Sequence, residues 1–121
     1  MIKFCIIAVT FISLALGAQA ADKEKGKRVY NKCKACHALK AGKNKIGPTL
    51  HGIMGRKAGT VAKFKYSNAM KNSGLTWDEE TLRKYLTKPR KFLKGTRMSF
   101  GGIKRDNDMD NLIAFLKIAT K

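Results

Sequence analysis

The feature that most constrains this chain is the run Cys33-Lys34-Ala35-Cys36-His37. Two cysteines three positions apart, with a histidine directly after them, form the pattern that attaches a c-type haem. The spacing follows from the chemistry. Each cysteine sulfur adds to one haem vinyl group as a thioether, and one helical turn brings both sulfurs and the imidazole to one side. The thioethers fix the porphyrin plane, and His37 then reaches iron from one face. A Cys-x-x-Cys pair also occurs as a disulfide, as a thioredoxin-like dithiol or as half of a zinc site. The dithiol sits in a βαβ setting, which this pattern lacks. Zinc needs two further ligands, and beyond the motif only His51 is a strong candidate.

Residues 1–20 read as a secretory leader. Lys3 supplies the positive start, Phe4 to Leu16 is a mostly apolar run of 13 residues, and Ala18-Gln19-Ala20 is a small-x-small cleavage signal. The run falls short of the ~20 residues that span a bilayer. Cleavage after Ala20 is expected, leaving one domain over residues 21–121 and removing Cys5. The alternative is an uncleaved membrane anchor. Export suits the motif, because haem is attached in this way outside the bacterial cytoplasm. A periplasmic protein is therefore expected.

Cleavage takes 20 of the 121 residues and leaves 101. A chain that short buries a modest core, and a group held inside would help it. The patterning predicts helices alone. The first runs from Asp22 to Lys34, with Asp22 as its cap, Glu24 in its first turn, and Val29 and Tyr30 on its apolar face. Thr76-Trp77-Asp78-Glu79 matches a capping box, with Thr76 as cap. A helix follows to about Thr87, with Pro89 marking its end. The last helix runs from about Asp106 to Ala119, where Met109, Leu112, Ile113 and Leu116 keep helical spacing and Phe115 widens the stripe. Residues 38–60 and 89–105 read as loops. Loops of that length are uncommon in a small domain unless something organises them. The expected class is all-α, three main helices and long loops wrapped around one covalently attached haem.

The second axial ligand is open on this chemistry. His51, Met54, Met70, Met98 and Met109 are candidates. Met109 falls on the apolar stripe of the last helix, while Met54 and Met70 suit ordinary packing. Met98 lies in the loop Gly95-Thr96-Arg97-Met98-Ser99-Phe100-Gly101-Gly102, from which a ring-spanning ligand can be delivered. A thioether stabilises ferrous iron and raises the potential relative to two histidines.

Blocks along the whole of residues 22–121 resemble the small class I cytochromes c, of the mitochondrial and purple-bacterial electron-carrier type. They are Gly26-Lys27-Arg28-Val29-Tyr30, Gly47-Pro48-Thr49-Leu50-His51-Gly52, Gly55-Arg56-Lys57, Gly74-Leu75-Thr76-Trp77, Lys88-Pro89-Arg90-Lys91, Gly95-Thr96-Arg97-Met98 and Leu112-Ile113-Ala114-Phe115-Leu116. The resemblance implies His37 as one iron ligand and Met98 as the other. It implies that the Pro48 carbonyl accepts the second ring N–H of His37, and that the Tyr85 hydroxyl reaches the Met98 sulfur. Tyr66 and Trp77 would donate to a haem propionate, with Arg56 and Thr96 near the propionates and Phe100 over the haem edge. Gly26 would let the first helix cross closely over Leu112 and Phe115. Two departures stand out. Met70 replaces an Asn of a hydrogen-bonded water network, so that role is not carried over. Lys94 replaces a Pro before Gly95, which frees a φ angle in the ligand loop.

The chain holds 26 Lys and Arg against 8 Asp and Glu, a net +18. The leader holds one Lys and no acid, so the remainder carries +17. Basic residues crowd the motif (Lys27, Arg28, Lys32, Lys34, Lys40, Lys43, Lys45) and the segment from Lys88 to Arg105, while acids gather at Asp78-Glu79-Glu80 and Asp106–Asp110. Such asymmetry steers a protein to acidic partners. In the resembled family those partners are respiratory or photosynthetic membrane complexes, among them quinol-cytochrome c reductase, terminal oxidases and photosynthetic reaction centres, and periplasmic reductases. Weak contact with an anionic membrane surface fits the charge, a monomer is expected, and export argues against a specific nucleic-acid target. The function expected is one-electron transfer by haem c without enzymatic turnover. The competing classes are an open-site haem enzyme or gas binder, which needs a distal acid–base group not evident here, and the dithiol oxidoreductase set aside above.

Overall fold

The computed structural model describes residues 20–121, so the leader, its apolar run and Cys5 lie outside the described residues. Among the described residues no helix is long and apolar enough to cross a membrane. The first helix, α1, spans Lys23–Tyr30. The Asp22 carboxylate caps it by accepting the Glu24 and Lys25 amides, which satisfies two of the donors a helix start leaves free. α1 stops earlier than the expected Lys34, and the chain continues in turns through Cys36.

Two-residue strands β1 (Arg56–Lys57) and β2 (Thr76–Trp77) pair antiparallel, with Arg56 opposite Trp77 and Lys57 opposite Thr76. This corrects two expectations. A short ladder exists where none was anticipated, and Thr76 is a strand residue and not a cap. The cap of the following helix is Asp78, whose carboxylate accepts the Thr81 amide at 2.7 Å. Between the strands lies one turn of helix, α2 (Asn68–Lys71), capped by Ser67.

α3 spans Glu79–Thr87, ending where expected. Pro89 does not open a loop there. It occupies the first turn of α4, Pro89–Phe92, where its missing N–H costs nothing. α5 spans Asp106–Ala119, as the apolar spacing predicts.

α1 crosses α5 so closely that a Cβ on Gly26 would stand 1.9 Å from the Asn111 carbonyl oxygen and 2.8 Å from Phe115 Cβ. The Asn111 side chain also accepts the Asp22 amide at 2.8 Å, and the Tyr30 and Phe115 rings lie 5.2 Å apart. α3 is tied to α5 by ion pairs from Arg83 to Asp110 at 2.6 Å and from Lys117 to Glu79 at 2.5 Å. Leu112, Ile113 and Leu116 of α5 form the centre of the buried core, with Val29, Tyr30, Leu82 and Tyr85 around them. The loops are draped over the rest, and they carry most of the chemistry.

Candidate functional site

The turns after α1 keep helical bonding. The Cys36 and His37 amides both donate to the Cys33 carbonyl, at 3.1 and 2.9 Å. Cys33, Cys36 and His37 therefore share one turn, as the motif requires. Both cysteines are free and half-buried. Burial and the neighbouring Cys36 push the Cys33 thiol up to about 11. No group of three or more His, Cys, Asp or Glu among the described residues is arranged to hold a bare metal ion, and His51 is exposed.

The imidazole of His37 is fixed from the opposite loop. Its Nδ1–H donates to the Pro48 carbonyl at 2.7 Å, and a carbonyl can only accept, so in the neutral ring Nε2 keeps its lone pair. Burial is the main cause that holds the His37 pKa below its ordinary value, which favours that neutral form. Gly47 is the residue that permits this contact. A Cβ there would sit 2.3 Å from His37 Cε1. The Gly47 amide donates to the Cys36 carbonyl at 2.8 Å, and the Tyr30 hydroxyl donates to the His37 carbonyl at 3.0 Å. These two anchors, and the support from Gly47, were not legible as such in the sequence, where Gly47 registers only in the loop over residues 38–60 and as the first residue of the block Gly47-Pro48-Thr49-Leu50-His51-Gly52.

Arg56 and Trp77 stand opposite each other across the ladder, and Trp77 is buried. Arg56 donates from one terminal nitrogen to the His51 carbonyl at 2.8 Å, but its Nε is buried without a partner. Burial lowers the Arg56 pKa and the nearby Tyr66 phenol counteracts this. The Tyr66 oxygen accepts the Val61 amide at 3.0 Å, leaving its own O–H to donate. Asn44 ties this loop to the motif side. Its side chain donates to the Ala62 carbonyl at 3.1 Å and accepts the Thr49 amide at 3.0 Å.

The loop carrying Met98 is held at both ends. The Thr96 amide donates to the Leu93 carbonyl, and the Ile103 amide donates to the Leu86 carbonyl at 2.8 Å. Met98 and Phe100 are half-buried against the core, as are Met54 and Met70, whereas Met109 is fully buried on α5. The Tyr85 hydroxyl does not meet the Met98 sulfur. It pairs with the Thr96 hydroxyl at 2.6 Å, because Thr96 lies two residues earlier on the same loop and offers a stronger partner than a thioether.

These groups fit a haem with two thioether links. A buried guanidinium nitrogen without an acceptor suits a propionate carboxylate, and partly buried apolar side chains against the core, among them Leu75, Leu86, Leu93, Met98 and Phe100, suit an apolar macrocycle.

The model of the cytochrome c family matches residues 23–119. A cytochrome c of Cochliobolus lunatus is 46% identical over 108 residues, covering 88% of this chain and 100% of the relative. A cytochrome c2 of Rhodoplanes tepidamans is 51% identical over 96 residues, covering 78% of this chain and 90% of that protein. The solved structure of cytochrome cH from Methylobacterium extorquens superposes with a TM-score of 0.75 at 43% identity, over 80% of this chain and 98% of that one. The chain thus belongs to the cytochrome c family: it is an electron carrier, not an enzyme, and its cofactor is one covalently attached c-type haem.

Proposed function

We propose that the protein is a periplasmic one-electron shuttle in which His37 and Met98 would hold the haem iron. When bound, the haem supplies a ferrous/ferric couple that changes by one electron with little rearrangement. The observation that carries the reading is the His37–Pro48 hydrogen bond of 2.7 Å with Gly47 against the ring. It holds the imidazole in one orientation and leaves Nε2 as the free donor atom. The doubly anchored loop supports Met98 as the second ligand. Cys33 and Cys36 hold the porphyrin covalently. Arg56, Tyr66 and Trp77 bind and orient propionate, Tyr85 and Thr96 line the pocket through their mutual hydrogen bond, and Phe100 excludes water from the haem edge.

Removal of the leader after Ala20 fits this reading, since Ala20 and Ala21 are exposed. The partners proposed are acidic faces of membrane or periplasmic redox proteins. Exposed cations at Lys34, Lys45, Arg90, Lys91 and Arg97 would steer them.

The absorption spectrum of protein matured in its own compartment tests the ligation. Sharp low-spin ferrous bands are expected, with the weak long-wavelength band of a Met-ligated ferric haem that Met98→Ala abolishes. A high-spin spectrum, or immediate carbon monoxide binding by the intact ferrous protein, refutes the His37–Met98 pair. N-terminal sequencing should begin at Ala21. Second-order electron-transfer rates should fall steeply with ionic strength, and a flat salt dependence rejects steering.

A further inference from the structure

We propose that Lys45 is a positioning residue for electron transfer, acting on His37 through the turn it shares with Gly47 and Pro48. The proposal rests on the reading above in which His37 ligates the haem iron, and it deepens that reading. Lys45 is exposed, like most cations of this surface. Its ammonium is nevertheless bonded, because Nζ donates to the Lys34 carbonyl at 2.8 Å. Lys34 stands between the two cysteines of the motif turn. A donor that carries charge makes this a stronger bond than one between neutral groups.

Residues 44–49 form one closed unit. The Asn44 side chain accepts the Thr49 amide at 3.0 Å and joins the two ends of the segment. Inside it, the Lys45 amide donates to the Gly47 carbonyl at 2.9 Å. Ile46, between them, is 80% exposed and contributes almost no apolar burial. Hydrogen bonds, not packing, therefore set where this turn sits.

The unit is pinned to the motif side at both ends, with the His37 contacts in the middle. At the near end Lys45 holds the Lys34 carbonyl. At the far end the Thr49 hydroxyl donates to the Lys40 carbonyl at 2.7 Å. Between them the Gly47 amide holds the Cys36 carbonyl, and the Pro48 carbonyl takes the His37 Nδ1–H. Asn44 fastens the near end to a different loop, at the Ala62 carbonyl. The Lys45 ammonium is thus the side-chain tie that joins this end to the motif itself. Freeing it lets the turn rock, and the imidazole rocks with it. The bond to Pro48, which fixes the ring and strengthens Nε2 as a donor, then loosens.

The test follows solvent exchange of the His37 Nδ1–H in isotope-labelled ferrous holoprotein. Lys45→Met keeps an apolar stem and removes the donor. It should speed exchange of the His37 Nδ1–H and of the Gly47 amide by about fivefold, the worth of one hydrogen bond, and leave the Leu112 amide of α5 unchanged. Lys45→Arg, which returns a donor, should restore slow exchange. Lys43→Met removes the same charge two residues away and should alter neither signal. The haem methyl signals of the ferric protein report the angle of the imidazole plane, and of these variants only Lys45→Met should move them. Equal acceleration at Leu112 would make Lys45 a contributor to stability alone and overturns the proposal. Unchanged exchange in Lys45→Met, a matching effect of Lys43→Met, or failure of Lys45→Arg to rescue overturns it as well. Parent protein without low-spin ferrous bands overturns the ligation reading instead, before any variant is made.

Discussion

Arg56 and Trp77 are direct partners across the two-residue ladder, and the buried Nε of that arginine has no hydrogen-bond acceptor. A cation beside a haem disfavours the ferric state, which carries the additional positive charge. Arg56→Gln should therefore lower the reduction potential, by about 60 mV if the charge is worth one tenfold change in a one-electron equilibrium. Spectroelectrochemical titration of both proteins reads this directly. An unchanged or higher potential would separate Arg56 from the haem.

The α1–α5 crossing allows no side chain at residue 26. Gly26→Ala places a Cβ against the Asn111 backbone, which cannot swing aside, and should cost about 3 kcal/mol. Gly42→Ala meets no atom within 4 Å, though its φ of +73 still imposes strain of about 1 kcal/mol. Denaturant unfolding of the two variants should show the first well below the second. Equal losses would mean that α1 can retreat from α5.

Glu79 joins α3 to α5 through Lys117 and is also bonded to Arg83. The hydrogen bond from Lys117 is the main cause that lowers its pKa below the ordinary value. A carboxyl depressed in the folded state stabilises fully above its unfolded pKa, and that contribution fades as pH falls through the folded value. Solvent screening keeps it below about 1 kcal/mol. Glu79→Gln should be less stable than the parent near pH 6, and the difference should shrink towards about pH 3. A difference that persists in acid would assign the loss to packing.

Lys94 lies between Leu93, whose φ of −130 and ψ of 90 are extended, and Gly95, whose φ is +90. An extended preceding residue accepts proline without a clash. Lys94→Pro should therefore stiffen the Met98 loop by about 0.4–1 kcal/mol. The long-wavelength ferric band should survive to higher pH in the variant. Loss of the band at the same or a lower pH would show that residue 94 does not govern release of the ligand.

How much the sequence revealed depended on how local each signal was. Asp22, the α5 stripe and the Cys33–His37 turn are local in sequence, and all three appear in the structure as read. Thr76 was misread because its place is decided by Lys57, a strand partner 19 residues away, and a two-residue strand has no period to detect. Pro89 carries two opposite meanings, the end of one helix and the first turn of the next, and only the geometry of Lys88 selects the second. The same division holds at the site. Covalent attachment was legible because three residues sit in one turn. The hold of Gly47 on the His37 ring, the Asn44 bridge and the Tyr85–Thr96 pair were not, because each joins segments that only folding brings together.

The clasp between the Asp22 amide and Asn111 spans 89 positions of sequence. A link that long cannot close until α5 has been synthesised. The two ends of the chain are therefore fastened together by a contact that only the complete polypeptide can make.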